Sequence, residues 1–164
     1  LSMDQDLTKN MPKITLLILI LIAVAIFYFV SHPHPKPENF GDNVSAVIKD
    51  TPYYLEVAKT YSTRQTGLSH RTQLCSNCGM LFVFDREGKH PFWMKDTKIP
   101  LDIIWLNSKF EVVDFVTATE TDSIKSFANS QPAMYVIELN ANEVFKLNLK
   151  KGDTIQLSNI TGES

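Results

Sequence analysis

The sequence predicts an α+β domain that is mainly β, with one or two short helices, behind one N-terminal transmembrane helix. Its antiparallel sheet is expected to be curled or closed into a small barrel. Strand signals are frequent, the intervals between them are too short for repeated helical crossovers, and one long apolar run lies near the N-terminus. The predicted strands cover residues 53–57, 80–84, 103–106, 112–116, 135–139 and 154–157.

Two short helices are compatible with the spacing of these strands. The first is predicted to open at Ser62, because Ser62 and Gln65 have the spacing of a capping box. The second is predicted over residues 141–147. Its expected core-facing side chains are Val144, Phe145 and Leu147.

The apolar run at residues 14–30 contains no charged side chain and follows Lys9 and Lys13. As a helix it spans about 25 Å, enough to cross a hydrocarbon core. The preceding lysines place residues 1–13 in the cytoplasm. A small-x-small triplet at 23–25 resembles a signal-peptidase site, but the apolar run continues beyond it, which favours an uncleaved signal anchor. We therefore expect a single-pass protein of the cell membrane with an extracytoplasmic domain.

Beyond the anchor, residues 31–50 are rich in proline and polar side chains and predict a linker. Residues 51–160 have the composition of one globular domain with its own core. The formal net charge of −2 is spread over mixed signs without a basic stripe, so we expect no nucleic-acid partner. The expected partners are the membrane, through residues 14–30, and an unknown small ligand or envelope protein.

A dense group of polar and aromatic side chains lies between two apolar runs and predicts a functional surface. Aromatic rings supply apolar or stacking contact, and charged or polar groups supply selectivity. Asp102 interrupts an apolar strand, so its carboxylate must be paired, solvated or hydrogen-bonded, either as a brace for the local backbone or as a functional group. The candidate ligand-binding residues are His90, Phe92, Trp93, Lys95 and Asp102.

Cys75 and Cys78 form a C-x-x-C pair, which outside the cytoplasm is expected to close as a disulfide. A thiol-redox role and a metal site completed by His70 or His90 are alternatives. His90 and Met94 have a ligand pairing suited to Cu(I), but a methionine in this position is more typical of a core filler. We assign no metal ligand and no cofactor.

Several motifs in order along the globular domain resemble the uncharacterised family named domain of unknown function 192. The Cys75–Cys78 loop departs from that pattern, since the family usually has an acidic or polar turn there. The resemblance implies a compact β-rich domain, often behind a signal sequence or anchor, and no established activity. The motifs that carry it are LEVA at 55–58, GMLFVF at 79–84, HPFWMKDT at 90–97, IPLDII at 99–104, YVIELN at 135–140 and KGD at 151–153.

The sequence leaves the biochemical activity open. Its best interpretation is binding of a small ligand, glycan or partner at the cell envelope. One alternative is an envelope enzyme that uses His90 or Asp102 as acid or base. The other is a thiol-redox or metal-binding module that uses Cys75 and Cys78.

Overall fold

The computed structural model describes residues 13–31, 43–117 and 119–158, in two compact units that divide after Pro37. The first contains helix α1 (Lys13–Ser31), which includes the predicted membrane segment. Among the described residues, however, no helix meets the length and apolarity required for a membrane crossing. The transmembrane helix is thus not supported and stays a prediction from the sequence.

The second unit is built on one seven-stranded sheet with the order β5-β4-β6-β3-β2-β1-β7. Neighbouring strands are antiparallel except for the parallel pair β2 and β3. This confirms the prediction of a mainly β, α+β domain. The strands are β1 (Asn43–Ile48), β2 (Thr51–Ala58), β3 (Cys78–Gly88), β4 (Leu101–Leu106), β5 (Val112–Val116), β6 (Ala133–Asn140) and β7 (Gln156–Ser158).

Strand β1 lies inside the segment that the sequence predicts as linker, so the linker prediction does not hold at its C-terminal end. Val44, Ala46 and Ile48 are buried, and the residues between them are exposed. A two-residue turn at Lys49 and Asp50 joins β1 to β2, and both residues have positive φ, as hairpin turns that match strand twist require.

The sheet curls into a half-barrel, and backbone hydrogen bonds connect the chain at its two ends. The backbone N–H of Val112 donates to the carbonyl of Asp153 at 2.8 Å, and that of Gly152 donates to the carbonyl of Val112 at 2.8 Å. The N–H of Ile155 bonds the carbonyl of Phe110 at 3.0 Å. These bonds connect the β5 end of the sheet to the β7 end and enclose an apolar interior.

The central strands are buried on both faces. All six residues of β4 are buried. Ile104 and Leu106 belong to the interior cluster, which draws on every strand of the sheet. The alternate residues Leu101, Ile103 and Trp105 belong to a second cluster on the outer face, where residues 94–99 and the chain after the first short helix cover the sheet.

The two short helices differ from their predicted positions. Helix α2 (Tyr61–Thr66) is capped by Thr60, whose side chain pairs reciprocally with Thr63, so the prediction of a cap at Ser62 and Gln65 is wrong. The favourable cap lies two residues earlier because Thr60 and Thr63 satisfy each other's backbone donors. The other helix, α3, covers Glu143–Lys146.

Asp102 fixes the start of α3 from the interior face of β4. Its Oδ1 accepts the backbone N–H of Asn142 at 3.0 Å, and its Oδ2 accepts that of Val144 at 2.8 Å. Val144 is buried as predicted, but Phe145 is 84% exposed, because the short helix presents only one side to the interior. The carboxylate of Asp102 therefore supplies the helix cap that the side chain of Asn142 does not.

Replacing Asp102 with Ala should lower the free energy of unfolding by about 3 kcal/mol, because two buried N–H donors lose a charged acceptor. Urea denaturation of the full chain measures this, with Phe145→Ala as the matched exposed control in α3. An Asp102→Ala variant as stable as the parent would show that the carboxylate does not hold α3.

Candidate ligand-binding site

Residues 90–97, which carry most of the predicted site residues, lie across the outer face of the sheet, and we call this segment the strap. Phe92 exchanges two backbone hydrogen bonds of 2.8 Å with Phe127, and the N–H of Met94 donates to the carbonyl of Ser123 at 3.1 Å. Met94 is fully buried, as expected of a core filler. Because neighbouring side chains alternate, Trp93 faces outward and is 52% exposed.

Phe92 belongs to an aromatic group in the outer-face core. Its ring meets Phe82 edge-on at 4.8 Å between centroids and approaches Trp105 at 6.1 Å and Phe84 at 6.5 Å. Edge-to-face contacts of this kind stabilise an aromatic pair beyond the area it buries. Phe92 therefore holds the strap against the sheet and leaves only part of its ring beside the cleft.

His90 lies at the start of the strap and stacks on Phe84 with 3.6 Å between ring centroids. Its carbonyl accepts the Trp105 indole N–H at 2.9 Å, and its own N–H donates to Asn129 at 2.8 Å. Its buried Nε2 has no hydrogen-bond partner among the described residues. Burial, the largest cause, lowers the pKa of His90, which favours a neutral imidazole. It lines a pocket of about 380 Å³ with Arg64 and Arg86.

A cleft lies between α2 and the strap and comprises three adjacent pockets, each lined by Trp93 and Gln65. We call it the Trp93 cleft. Two outer openings measure about 400 and 240 Å³. Lys95 lines the smaller one and holds its ammonium 5.7 Å from the centre of the Trp93 ring, within reach of a cation–π interaction. The third pocket measures about 30 Å³ and is lined by the buried Glu138, and we call it the floor cavity.

Glu138 lines the floor cavity and is the functional candidate that sequence reasoning missed. It is 4% exposed, projects from β6 on the outer face, and has no hydrogen bond or ion pair with any residue that the structure describes. Burial raises its pKa to about 8, so the carboxyl group is largely protonated at neutral pH. The available signal was a lone acidic residue within an apolar strand, the same signal that singled out Asp102.

The structure brings Phe92, Trp93 and Lys95 together at the Trp93 cleft and does not bring Asp102 there. Asp102 faces the interior and is engaged with α3. His90 reaches the neighbouring pocket instead of the cleft, although Arg64 and Phe84 line both. The single pocket expected from His90, Trp93 and Asp102 is therefore not assembled.

Cys75 and Cys78 are paired as a disulfide, with their Cα atoms 5.1 Å apart, within the range that disulfides span. Cys75 is exposed, whereas Cys78 is buried at the first position of β3. Within the described part of the chain, no three His, Cys, Asp or Glu side chains are grouped to hold a metal ion. The pair closes a short loop on the sheet.

The domain is a mainly β half-barrel whose outer face is covered by the strap and contains the buried carboxyl group of Glu138. Sequence comparison identifies its family. A family model matches residues 44–157, so the chain belongs to the DUF192 family, described as "Uncharacterized ACR". The family expected from the motifs is thereby confirmed.

Relatives of known sequence or structure support this assignment. A curated UPF0127 protein from Thermococcus gammatolerans is 31% identical over 107 residues, which cover 62% of this chain and 65% of the relative, so this chain spans just under two thirds of the relative's length. A solved structure described as a candidate transcription regulator, from Sinorhizobium meliloti 1021, has a TM-score of 0.67 and 27% identity, covering 74% of this chain and 98% of its own. The solved structure of a protein of unknown function from Novosphingobium aromaticivorans DSM 12444 has a TM-score of 0.63 and 27% identity, covering 70% of this chain and 83% of its own.

The exposure of Trp93 predicts a simple fluorescence result. The chain has two tryptophans, and Trp105 is fully buried, so acrylamide should quench mainly the emission of Trp93. A Trp93→Phe variant should lose most of the quenchable emission, as measured by steady-state quenching of the full chain. Equal quenching of the parent and the variant would show that Trp93 is covered.

The buried carboxyl of Glu138 predicts a pH-dependent stability. Its folded pKa of about 8 lies above the ordinary value of 4.5, so its stabilising contribution is complete below the ordinary value and is lost as pH rises through the folded value. Across that window the parent should lose about 1.4 kcal/mol per pH unit relative to Glu138→Gln. Urea denaturation at a series of pH values measures the difference, and parallel curves for the two proteins would contradict it.

Proposed function

We propose that the domain binds a small ligand in the Trp93 cleft, with a flat face of the ligand on the Trp93 ring and a polar group directed to Glu138. One observation carries this proposal: Glu138, only 4% exposed and without a hydrogen-bond partner among the described residues, lines the same cavity as the half-exposed Trp93. A few polar groups that converge with aromatic rings on a concave site are typical of ligand pockets, so a ligand that bonds the Glu138 carboxyl group explains its place there.

Binding is supported over the two alternatives by where the side chains lie. The enzyme alternative uses His90 or Asp102 as acid or base. Asp102 bonds the backbone of α3 on the interior face. His90 is stacked on Phe84 and lines the neighbouring pocket. A thiol role would use Cys75 and Cys78, which are not among the residues that line the Trp93 cleft. Ligand binding in the cleft therefore uses Trp93, Lys95 and Glu138 together, whereas neither alternative uses these side chains.

We also propose that residues 14–30 anchor the protein in the cell membrane and that the β domain is extracytoplasmic. The uncharged run behind two lysines supports the anchor and its orientation. The disulfide between Cys75 and Cys78 supports an oxidising compartment, where such bonds persist. A ligand of the cleft would then be a component of the envelope or its surroundings.

Ligand binding is tested by titrating the ¹⁵N-labelled full chain with D-glucose, benzyl alcohol and benzylamine and recording amide chemical shifts. We expect at least one ring-bearing probe to shift resonances of α2 and of residues 92–97. Trp93→Ala should weaken that response about tenfold or more, a loss of about 1.4 kcal/mol or more in binding free energy.

Phe145→Ala is the control, because it removes an exposed aromatic ring from α3 that lines no part of the cleft. It should leave the response unchanged. Shifts that centre on α3, or a complete absence of shifts with every probe, would contradict the proposed binding site.

The proposed membrane topology is tested by fusing alkaline phosphatase to the C-terminal end of the chain, since this enzyme is active only after export. The fusion should be active in intact bacteria, and a matched fusion without residues 14–30 should be inactive. Activity that does not depend on residues 14–30, or no activity from either fusion, would count against the proposed anchor.

A further inference from the structure

The floor cavity of the Trp93 cleft joins one carboxyl group to a set of aromatic rings. Phe82, Phe92 and Trp93 supply the rings, and Glu138 supplies the carboxyl group. A volume of about 30 Å³ accommodates roughly one group the size of a water molecule. The cavity therefore admits the head of a ligand and leaves the remainder in the wider openings above it.

Aromatic faces and a carboxylate both attract positive charge. The described residues supply no cation to Glu138. Arg64 lines the same cavity, but its Nη1 donates to the carbonyls of Lys59 at 2.6 Å and Val83 at 2.9 Å, and its guanidinium lies 5.0 Å from the centre of the Phe84 ring. Because Arg64 is held by these contacts, no residue in the described part of the chain supplies a counter-charge to Glu138.

We propose that the ligand of the Trp93 cleft carries a primary ammonium group, which enters the floor cavity and pairs with Glu138. This inference rests on the proposed function and specifies its ligand class. An ammonium group has the size of a water molecule, whereas a trimethylammonium group is too large for the cavity.

The protonation state of Glu138 in the ligand-free site determines how many protons are released on binding. Burial keeps the Glu138 carboxyl group largely neutral there, because its pKa is raised to about 8. When the ammonium enters with its own proton, the carboxyl releases its proton to solvent and the ion pair forms. Binding therefore releases up to one proton per ligand at neutral pH.

Other ionisable groups surround the cleft and must be separated from this effect. Arg64 of α2 lines the floor cavity, and His70, Lys95 and Asp96 line the smaller opening. His90 lies against Phe84, at the edge of the larger opening. Because these ionisable side chains lie around the cleft, the Glu138→Gln variant is needed to assign the released proton.

The experiment compares three probes with one ring on the full chain: benzylamine, benzyl alcohol and benzyltrimethylammonium. Amide chemical shifts give the affinities, and titration calorimetry in two buffers of different ionisation enthalpy gives the protons released. We expect benzylamine to bind at least about tenfold more tightly than either analogue. As the pH is raised toward the pKa of Glu138, the affinity for benzylamine should increase by up to about tenfold per pH unit. Glu138→Gln should remove the preference.

Different outcomes identify which statement fails. If benzyl alcohol shifts the cleft resonances as strongly as benzylamine does, the ammonium inference is wrong and the binding cleft stands. Tighter binding of benzyltrimethylammonium, or no proton release by the parent on binding benzylamine, also overturns the inference without requiring a variant. If no probe perturbs the cleft, the proposed function fails together with it.

Discussion

The burial of both faces of β4, of β6 and of the first half of β3 is the constraint on which the rest of this domain depends. One face closes on the interior of the half-barrel, and the other is covered by the strap at residues 90–97 and the chain after α2. Because successive side chains point to opposite faces, each polar residue in these buried stretches lies either in the interior or beneath the strap. A shift of the strand register by a single residue would exchange the side chains of the two faces.

Asp102 and Glu138 show the consequence of this alternation. Both are acidic residues in otherwise apolar central strands, but Asp102 faces the interior, where two backbone N–H groups of the α3 region satisfy its carboxylate. Glu138 faces outward beneath the strap, where no described residue pairs with it and burial raises its pKa to about 8. The Asp102 carboxylate thus holds the start of α3, whereas burial of the Glu138 carboxyl group reduces stability at neutral pH, and the proposed function assigns this group to the ligand.

The sequence predicted the strands that have a strong local pattern, and the limits of that prediction have physical causes. The predicted strand at residues 112–116 has the same bounds as β5. Strand β1 is absent from the prediction because its alternation of buried and exposed residues follows a proline-rich stretch. The sequence groups Phe92, Trp93 and Lys95 because they lie within one segment, and they stay predicted site residues. Asp102 was grouped with them because LDIIWL is buried at all six positions and has no period that reveals which face each side chain takes. Glu138 was passed over for the same reason.

The most direct measurement of this account is the carboxyl ¹³C chemical shift of Glu138 as a function of pH, assigned by its absence in Glu138→Gln. The account predicts a single titration with a pKa of about 8 in the ligand-free chain. It also predicts that this pKa falls when benzylamine is bound. A titration near 4.5, the ordinary value for glutamate, would show that the carboxyl group is solvated or paired, and the separation of a structural from a ligand-binding face would then be wrong.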